Sequence, residues 1–248
     1  MDSFRERKEQ RLQAGADRSR AGGVDPEIRA LVDTLNRSER FSTTSSCSGR
    51  VLLLAGSDQT KVQKQNCLWL FVTHQKCRKE DVIAGLLKAE DNAVFKFEPF
   101  VLHVQCRTLE DAQLLHSVAI NSGFRNSGIT VGKKGKIMMA VRSTHCLEVP
   151  LCRQGTVLVS EEYIDYLVQV ANQKMEENEK RRKRFCAGLE AALSAPVTSE
   201  QLDEKVNIAA SVYTRRRRQR ATKKERGNGG ATAHSDGESD LAFLMGNT

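Results

Sequence analysis

Between Phe41 and Leu151 the chain offers short apolar runs separated by turns and interrupted by only two helical stretches, and this irregular succession most narrows the folds open to it. A doubly wound parallel sheet needs a helix after nearly every strand. Residues 41–46 and 50–54 read as strands around a polar turn, and residues 67–72 are a continuous apolar run consistent with a buried strand. Residues 94–97 alternate before Pro99 interrupts them, and residues 100–105, 136–142 and 147–151 follow as further strands. Helical spacing appears only at residues 79–89, with Val82, Ile83, Leu86 and Leu87 inward, and at 108–121, with Leu109, Ala112, Leu115, Val118 and Ala119 inward. The pattern predicts an α+β fold with a mixed, largely antiparallel sheet and flanking helices, not a Rossmann-like one.

The flanks have a different texture. Residues 1–24 are a densely charged leader that closes on Gly22-Gly23. Asp25-Pro26-Glu27 then has the form of a helix start, and Ile28, Leu31, Val32 and Leu35 give it one apolar stripe. Residues 160–193 read as one long helix, capped by Ser160. Its stripe of Ile164, Leu167, Ala171 and Met175 thins through Asn178, in a nearly all-charged stretch at 176–184, and recovers at Phe185, Leu189 and Leu193. Residues 25–193 are therefore expected to be a single α+β catalytic domain. Residues 194–248 are expected to be a disordered tail with a basic run at 215–226, an acidic block after it, and Ser235 and Ser239 as candidate phosphorylation sites.

The net charge of +8 and a pI near 9.2 favour a polyanionic partner, nucleic acid first. The seven cysteines include no C-x-x-C pair, and no signal peptide is visible, which points to free thiols in the cytoplasm, with the basic tail leaving nuclear entry open. No apolar run reaches the roughly 18 residues of a membrane span. No paired Cys or His spacing asks for a metal, so none is expected.

The stretch Ser45-Ser46-Cys47-Ser48-Gly49-Arg50 carries the most chemistry. Small polar side chains beside Gly leave backbone N–H groups open to a ligand, and Arg adds a planar cationic fork; the plain alternative is a serine-rich turn satisfied by its own hydroxyls. Gly123-Phe124-Arg125-Asn126-Ser127-Gly128-Ile129 is a second polar, glycine-bounded loop. Gly128–Lys134 imitates a phosphate loop, but its glycines are one residue too close and no Ser or Thr follows the Lys. Gly-x-Gly-x-x-Gly and Gly-x-Ser-x-Gly are both absent. What remains is a set of polar residues at strand ends: His74, Glu98, His103, Arg142, Ser143 and Thr144. Singly, each has a structural alternative: His103 as a cross-strand surface residue, Glu98 as a partner of Lys96 or Arg107. Together they suggest one shared cleft. A hydrolase using Ser46 or Cys47 with His74 has no supporting spacing.

Ser45-Ser46-Cys47-Ser48-Gly49-Arg50, Trp69-Leu-Phe-Val-Thr-His74, Phe97-Glu-Pro-Phe-Val-Leu-His-Val104, Gly123-Phe-Arg-Asn-Ser-Gly-Ile129 and Met139-Ala-Val-Arg-Ser143 stand in the order and context of the tRNA wybutosine-synthesising protein 3 family. From about residue 25 to about 190 the chain resembles vertebrate-type members of that family. The resemblance implies an S-adenosylmethionine-dependent methyltransferase that acts on N4 of a tricyclic guanosine derivative at position 37 of phenylalanine tRNA. It also implies an unusual α+β fold, which agrees with the missing glycine-rich signature. For such chemistry Ser45, Ser46, Ser48, Gly49 and Arg50, with Gly123, Ser127 and Gly128 of the second loop, are the candidates for holding S-adenosyl-L-methionine. His74, then Glu98 and His103, are the candidates for a base. Trp69, Arg125, Arg142, Lys133 and Lys134 are the candidates for tRNA contact, and Arg181 to Arg184 could track phosphates. The rival reading is a non-catalytic RNA-binding protein using the same basic surfaces.

Overall fold

The computed structural model describes residues 3–15, 17, 19, 22–56, 67–132 and 135–194. Outside them lie Lys133 and Lys134, the turn at Ser57-Asp58, and the tail from residue 195, including its basic run and Ser235 and Ser239. The chain begins with helix α1 (Ser3–Ala14), then a 3-10 turn (Pro26–Ile28) that leads into α2 (Arg29–Arg37). Strands β1 (Phe41–Cys47), β2 (Arg50–Gly56) and β3 (Leu68–Thr73) precede α3 (Lys79–Leu86). Strands β4 (Asn92–Glu98) and β5 (Val101–Cys106) precede α4 (Leu109–Asn121). Strands β6 (Gly128–Val131), β7 (Ile137–Val141), β8 (Leu147–Arg153) and β9 (Thr156–Val157) come next, and α5 (Glu161–Ser194) closes the described fold.

The strands form two sheets, ordered β1-β5-β7-β6 and β3-β2-β4-β8-β9, and every pairing is antiparallel. This is the α+β, non-Rossmann architecture the patterning predicts. Division into two sheets is what the patterning did not show. It follows from three places where the chain leaves one sheet and enters the other: β1 to β2, β4 to β5, and β7 to β8. At the first, Gly49 takes φ +106°, a conformation that side-chain-bearing residues rarely adopt. At the second, Pro99 has no N–H to give a ladder, so β4 stops at Glu98.

Each sheet has its own core. Helices α2 and α4 cover the first, with Leu35, Phe41, Leu102, Val104, Leu115 and Met139 fully buried. Helix α3 covers the second, with Val51, Leu53, Phe95 and Phe97 buried. Helix α5 serves both: Ile164, Leu167, Val168, Ala171 and Met175 join the second core, and Phe185 and Leu189 join the first. Burying one such side chain stabilises by roughly 1.5–3 kcal/mol, so the two apolar ends anchor the helix. Its charged middle therefore lies across the seam between the cores. Phe185 closes an aromatic trio with Phe100 and Phe124, with centroids 5.3–6.2 Å apart.

Local chemistry explains most ends. Thr108 and Asp111 cap α4 reciprocally, Asp111 N–H to Thr108 Oγ1 at 3.1 Å and Thr108 N–H to Asp111 Oδ2 at 3.2 Å. Three expectations change. Residues 68–73 form an edge strand, with Leu68 62% and Val72 45% exposed, because the partner on their outer side is missing among the described residues. Leu87 is 83% exposed because α3 has already ended at Leu86. Leu109 is exposed because it is the first residue of α4. The leader is not detached from the sheets: α1 buries Phe4, and Arg11 donates to Ser42 Oγ and to the buried Gln105 Oε1.

Candidate active site

All three crossovers meet at the seam, and the middle of α5 holds them there. Asn178 Nδ2 donates to Ser48 O, and its Oδ1 accepts from Phe100 N–H, both at 2.8 Å. Arg181 donates to Ser143 Oγ at 3.0 Å and lies 3.3 Å from His145 Nδ1 in the third crossover. A little further back, Asn172 makes two bonds to the Cys77 backbone, which fixes the loop after His74.

Above the seam opens a cavity of about 480 Å³, lined by Ser19, Ser45, Ser46, Cys47, Arg50, Glu98, Pro99, Val101, His103, Asn126, Arg142 and Ser143. An extra residue in β1, between Thr43 and Ser45, shifts the register so that Ser45 stands opposite His103. Ser45 Oγ lies 2.9 Å from His103 Nδ1, and Arg142 Nη2 lies 2.8 Å from His103 Nε2. A guanidinium can only donate, so Nε2 must be the acceptor and the proton sits on Nδ1, facing Ser45. His103 is thereby held neutral. Partial burial, and secondarily the charge of Arg142, push its pKa below the ordinary histidine value. Arg50 pairs with Glu98 Oε2 at 3.0 Å, directly across the β2–β4 ladder. Its guanidinium lies over the Trp69 ring, 4.9 Å from the centroid.

Beside the cavity stands a second histidine. His74 Nδ1 is 3.0 Å from Asp25 Oδ2 and 3.1 Å from Ser48 Oγ, and the same carboxylate accepts the Ser48 N–H at 2.6 Å. Asp25 thus serves the first crossover instead of capping its own helix, whose N-terminus has no side-chain cap bond. Asp25, Cys47 and His74 each bring one ligand atom within 4.8 Å of the others. Mixed S, N and O donors suit zinc. However, Asp25 is already engaged by protein groups, and burial raises the Cys47 thiol away from the thiolate form.

The structure brings Ser45, Ser46, Arg50, Glu98, His103 and Arg142 to one cavity. Ser48 and Gly49 are buried behind it, and Trp69 backs Arg50 without lining it. The second loop is used differently. Gly123 ends α4, with its carbonyl 3.3 Å from Arg181 Nη1. Ser127 Oγ accepts the Arg142 N–H at 3.1 Å, Gly128 begins β6, and Arg125 is exposed. Arg181 and Arg184 are not free for phosphate tracking, because they donate to Gly123 O, Ser122 O and the Glu177 carboxylate. Three contributors were missed in these roles from sequence: Asn178, Arg181 and Asp17. Asp17 bonds to Ser46 N–H at 3.2 Å and Ser46 Oγ at 2.6 Å. A polar residue interrupting the apolar stripe of α5 was the one available hint.

Comparison with known proteins bears on the family and the fold. The family profile described as Methyltransferase TYW3 matches residues 6–191. The chain is 61% identical over 218 residues to a tRNA wybutosine-synthesizing protein 3 homolog of Danio rerio, covering 88% of this chain and 86% of that one. It is 62% identical over 191 residues to the Homo sapiens homolog of the same name, covering 77% and 73%. Among solved structures, the PH1069 protein of Pyrococcus horikoshii superposes with TM-score 0.69 at 31% identity, covering 75% of this chain and 95% of that one.

Proposed function

The chain belongs to the TYW3 methyltransferase family, a family of tRNA wybutosine synthesis, and on that premise we propose that it methylates N4 of the tricyclic precursor formed from guanosine 37 of phenylalanine tRNA, with S-adenosyl-L-methionine as methyl donor. The observation that carries the site is the seam cavity. Its volume of about 480 Å³ falls in the range of small-molecule sites, roughly 300–1,000 Å³. Its walls offer two guanidinium groups for a carboxylate, and Glu98, with Asp17 nearby, for an ammonium group. That donor set fits the zwitterionic methionine end of the cofactor. Bound there, the cofactor supplies a sulfonium methyl: the C–S pair stays on sulfur, a C–N bond forms, and the substrate nitrogen loses its proton.

The protein's part is to position the reactants and take that proton. His103 is our candidate for the acceptor, ahead of His74, because it lines the cavity and its neutral state keeps a lone pair on Nε2. Arg142 covers that lone pair until it turns to an anionic ligand. Ser45 holds the ring through Nδ1. Glu98 is a weaker candidate because its carboxylate is paired with Arg50. Arg125 and Arg142, both exposed, are our candidates for contact with tRNA phosphates. Residues 25–193 carry the catalytic body, with Ser19 of the leader lining the cavity and Asp17 bonded to Ser46 behind it. The free thiols at all seven cysteines support a cytoplasmic setting. Among the described residues no helix is long and apolar enough to cross a membrane.

The test is calorimetric titration of S-adenosylmethionine together with methyl transfer to precursor tRNA. Arg50→Ala should weaken cofactor binding at least tenfold. His103→Ala should leave it within a few fold and lower turnover by about 10²–10⁴. Unchanged turnover in His103→Ala would remove the base. Cofactor binding indifferent to Arg50→Ala would move the site elsewhere. No binding, with or without tRNA, would leave an RNA-binding protein as the better account.

A further inference from the structure

Asn178 is fully buried at the midpoint of α5, yet its amide makes no bond to its own helix among those described. Its Oδ1 accepts the Phe100 N–H and its Nδ2 donates a hydrogen bond to Ser48 O. A buried amide is costly unless both ends are bonded, so this geometry is strongly defined. The fit against Gly49 is close: a Cβ there would come within 2.5 Å of Asn178 Nδ2 and 3.3 Å of Glu98 O. The first crossover therefore rests directly on the amide. Cys47 and Arg50 flank that crossover, Glu98 and Val101 flank the second, and all four line the cavity.

We propose that Asn178 is a positioning residue for cofactor binding: its amide ties the Ser48-Gly49 turn to the Pro99-Phe100 turn and so sets the spacing of the two walls that grip the methionine end. This rests on the reading that the cofactor occupies the seam cavity. The amide is suited to the task because it has one donor and one acceptor end in fixed geometry. Leucine has similar volume but would leave both backbone groups unpaired. A carboxylate would keep the Phe100 bond but oppose Ser48 O, unless it were protonated and could donate.

That last point supplies the test. The full-length protein, Asn178→Asp and Asn178→Leu are titrated with S-adenosylmethionine from about pH 8 to about pH 5.5, with the melting temperature followed alongside. The neighbouring ionisable groups are the same in every protein: Asp25 and His74 bond to Ser48, Arg50 pairs with Glu98 across the two turns, and Arg181, one turn along the helix, lies beside His145, so the quantity read is the variant-to-wild-type ratio of dissociation constants at each pH. Asn178→Asp should bind at least tenfold more weakly at the high end. It should recover toward wild type at the low end, because burial raises the new carboxyl's pKa and its protonated form can donate to Ser48 O. Asn178→Leu should bind weakly throughout. Affinity for tRNA without cofactor should change less than threefold in both. A ratio near one at every pH, or a loss that does not vary with pH, would overturn the inference. If Asn178→Leu does not fold, the profile of Asn178→Asp decides alone. Wild-type protein that fails to bind, or binds regardless of Arg50→Ala, overturns the cavity reading and this inference with it. Normal wild-type behaviour with unaffected Asn178 variants overturns only the inference.

Discussion

The turn at Ser45–Arg50 and the loop at Gly123–Ile129 look alike as sequence: small polar residues, bounding glycine, one arginine. In the structure they do different work. The first lies where the backbone passes between sheets, so its residues face two ways, Ser45 and Ser46 into the cavity and Ser48 and Gly49 onto Asn178. The second ends a helix. Gly123 reverses the chain at φ +98°, Phe124 is buried, and the loop reaches the cavity only through Asn126 and the support Ser127 gives Arg142. A polar glycine loop becomes a binding wall where the sheet itself is interrupted, because there the backbone groups face a gap instead of a ladder.

The two glycines give the sharpest way to break this comparison. Both have positive φ, so alanine is strained at either. At Gly49 the new Cβ would also strike Asn178 at 2.5 Å, whereas at Gly123 it would meet the flexible Arg181 stem at 3.4 Å. Gly49→Ala should cost roughly 3–5 kcal/mol and Gly123→Ala roughly 1–2 kcal/mol in urea denaturation. Equal costs would mean that the seam is not tightly packed.

The next effect separates the arginines of the second loop's neighbourhood. Arg181→Leu should destabilise by about 1.5–3 kcal/mol, since it removes charge-assisted bonds to Gly123 O and Ser143. Arg125→Leu should leave stability unchanged, weaken tRNA binding modestly, and reduce the slope of log affinity against log salt by about one. If Arg181→Leu acted only on the salt slope, the structural role assigned to Arg181 would be wrong.

A third test reads the β7–β8 crossover, which Arg181 links to Gly123 of the second loop. His145 packs on Phe97 with centroids 5.4 Å apart, and its pKa falls to about 4, through burial first and then Arg181 and Lys174. The unfolded chain, with the ordinary value of 6.5, binds the proton first. Stability should therefore be full above that value and fall as pH drops toward about 4. The lowered pKa of His103 acts with the same sign. Melting scans of His145→Gln should show a shallower acid-side decline than wild type; an identical decline would assign the titration to other groups.

The smallest effect compares hydroxyls. Ser127→Ala removes the acceptor of the Arg142 N–H and should cost about 1 kcal/mol in stability, with a few-fold rise in KM. Ser45→Ala should show its effect in turnover instead, because it releases the His103 ring. The same KM-only pattern in both would remove the positioning role of Ser45.

Much of the fold was legible locally. The alternation of residues 94–97, the breaking Pro99, the inward stripe of the 108–121 helix and the two apolar ends of α5 all follow from residues close in sequence. Within the site, Ser45, Arg50, Glu98, His103 and Arg142 stood out as polar residues at strand ends. Asn178 did not. In a helix read as an amphipathic stripe, an asparagine looks like the place where the stripe leaves the core. Arg181 and Arg184 looked like a basic face, because nothing nearby in sequence announces the carbonyls of Ser122 and Gly123. Asp17 looked like one more charge in a charged leader.

Periodicity, turn residues and motif order were enough to determine an α+β chain of short strands, a long closing helix and a family. They suffice because helix and strand identity depend on side-chain spacing within about ten residues. Only the tertiary structure decided that the strands form two sheets, that three crossovers meet at one seam, and that the charged middle of α5 holds them. Those outcomes depend on pairings between residues far apart in the chain, such as Ser48 with Asn178 and Ser45 with His103. Asn178 has its partners, Ser48 and Phe100, in turns that only the assembled sheets bring beside it.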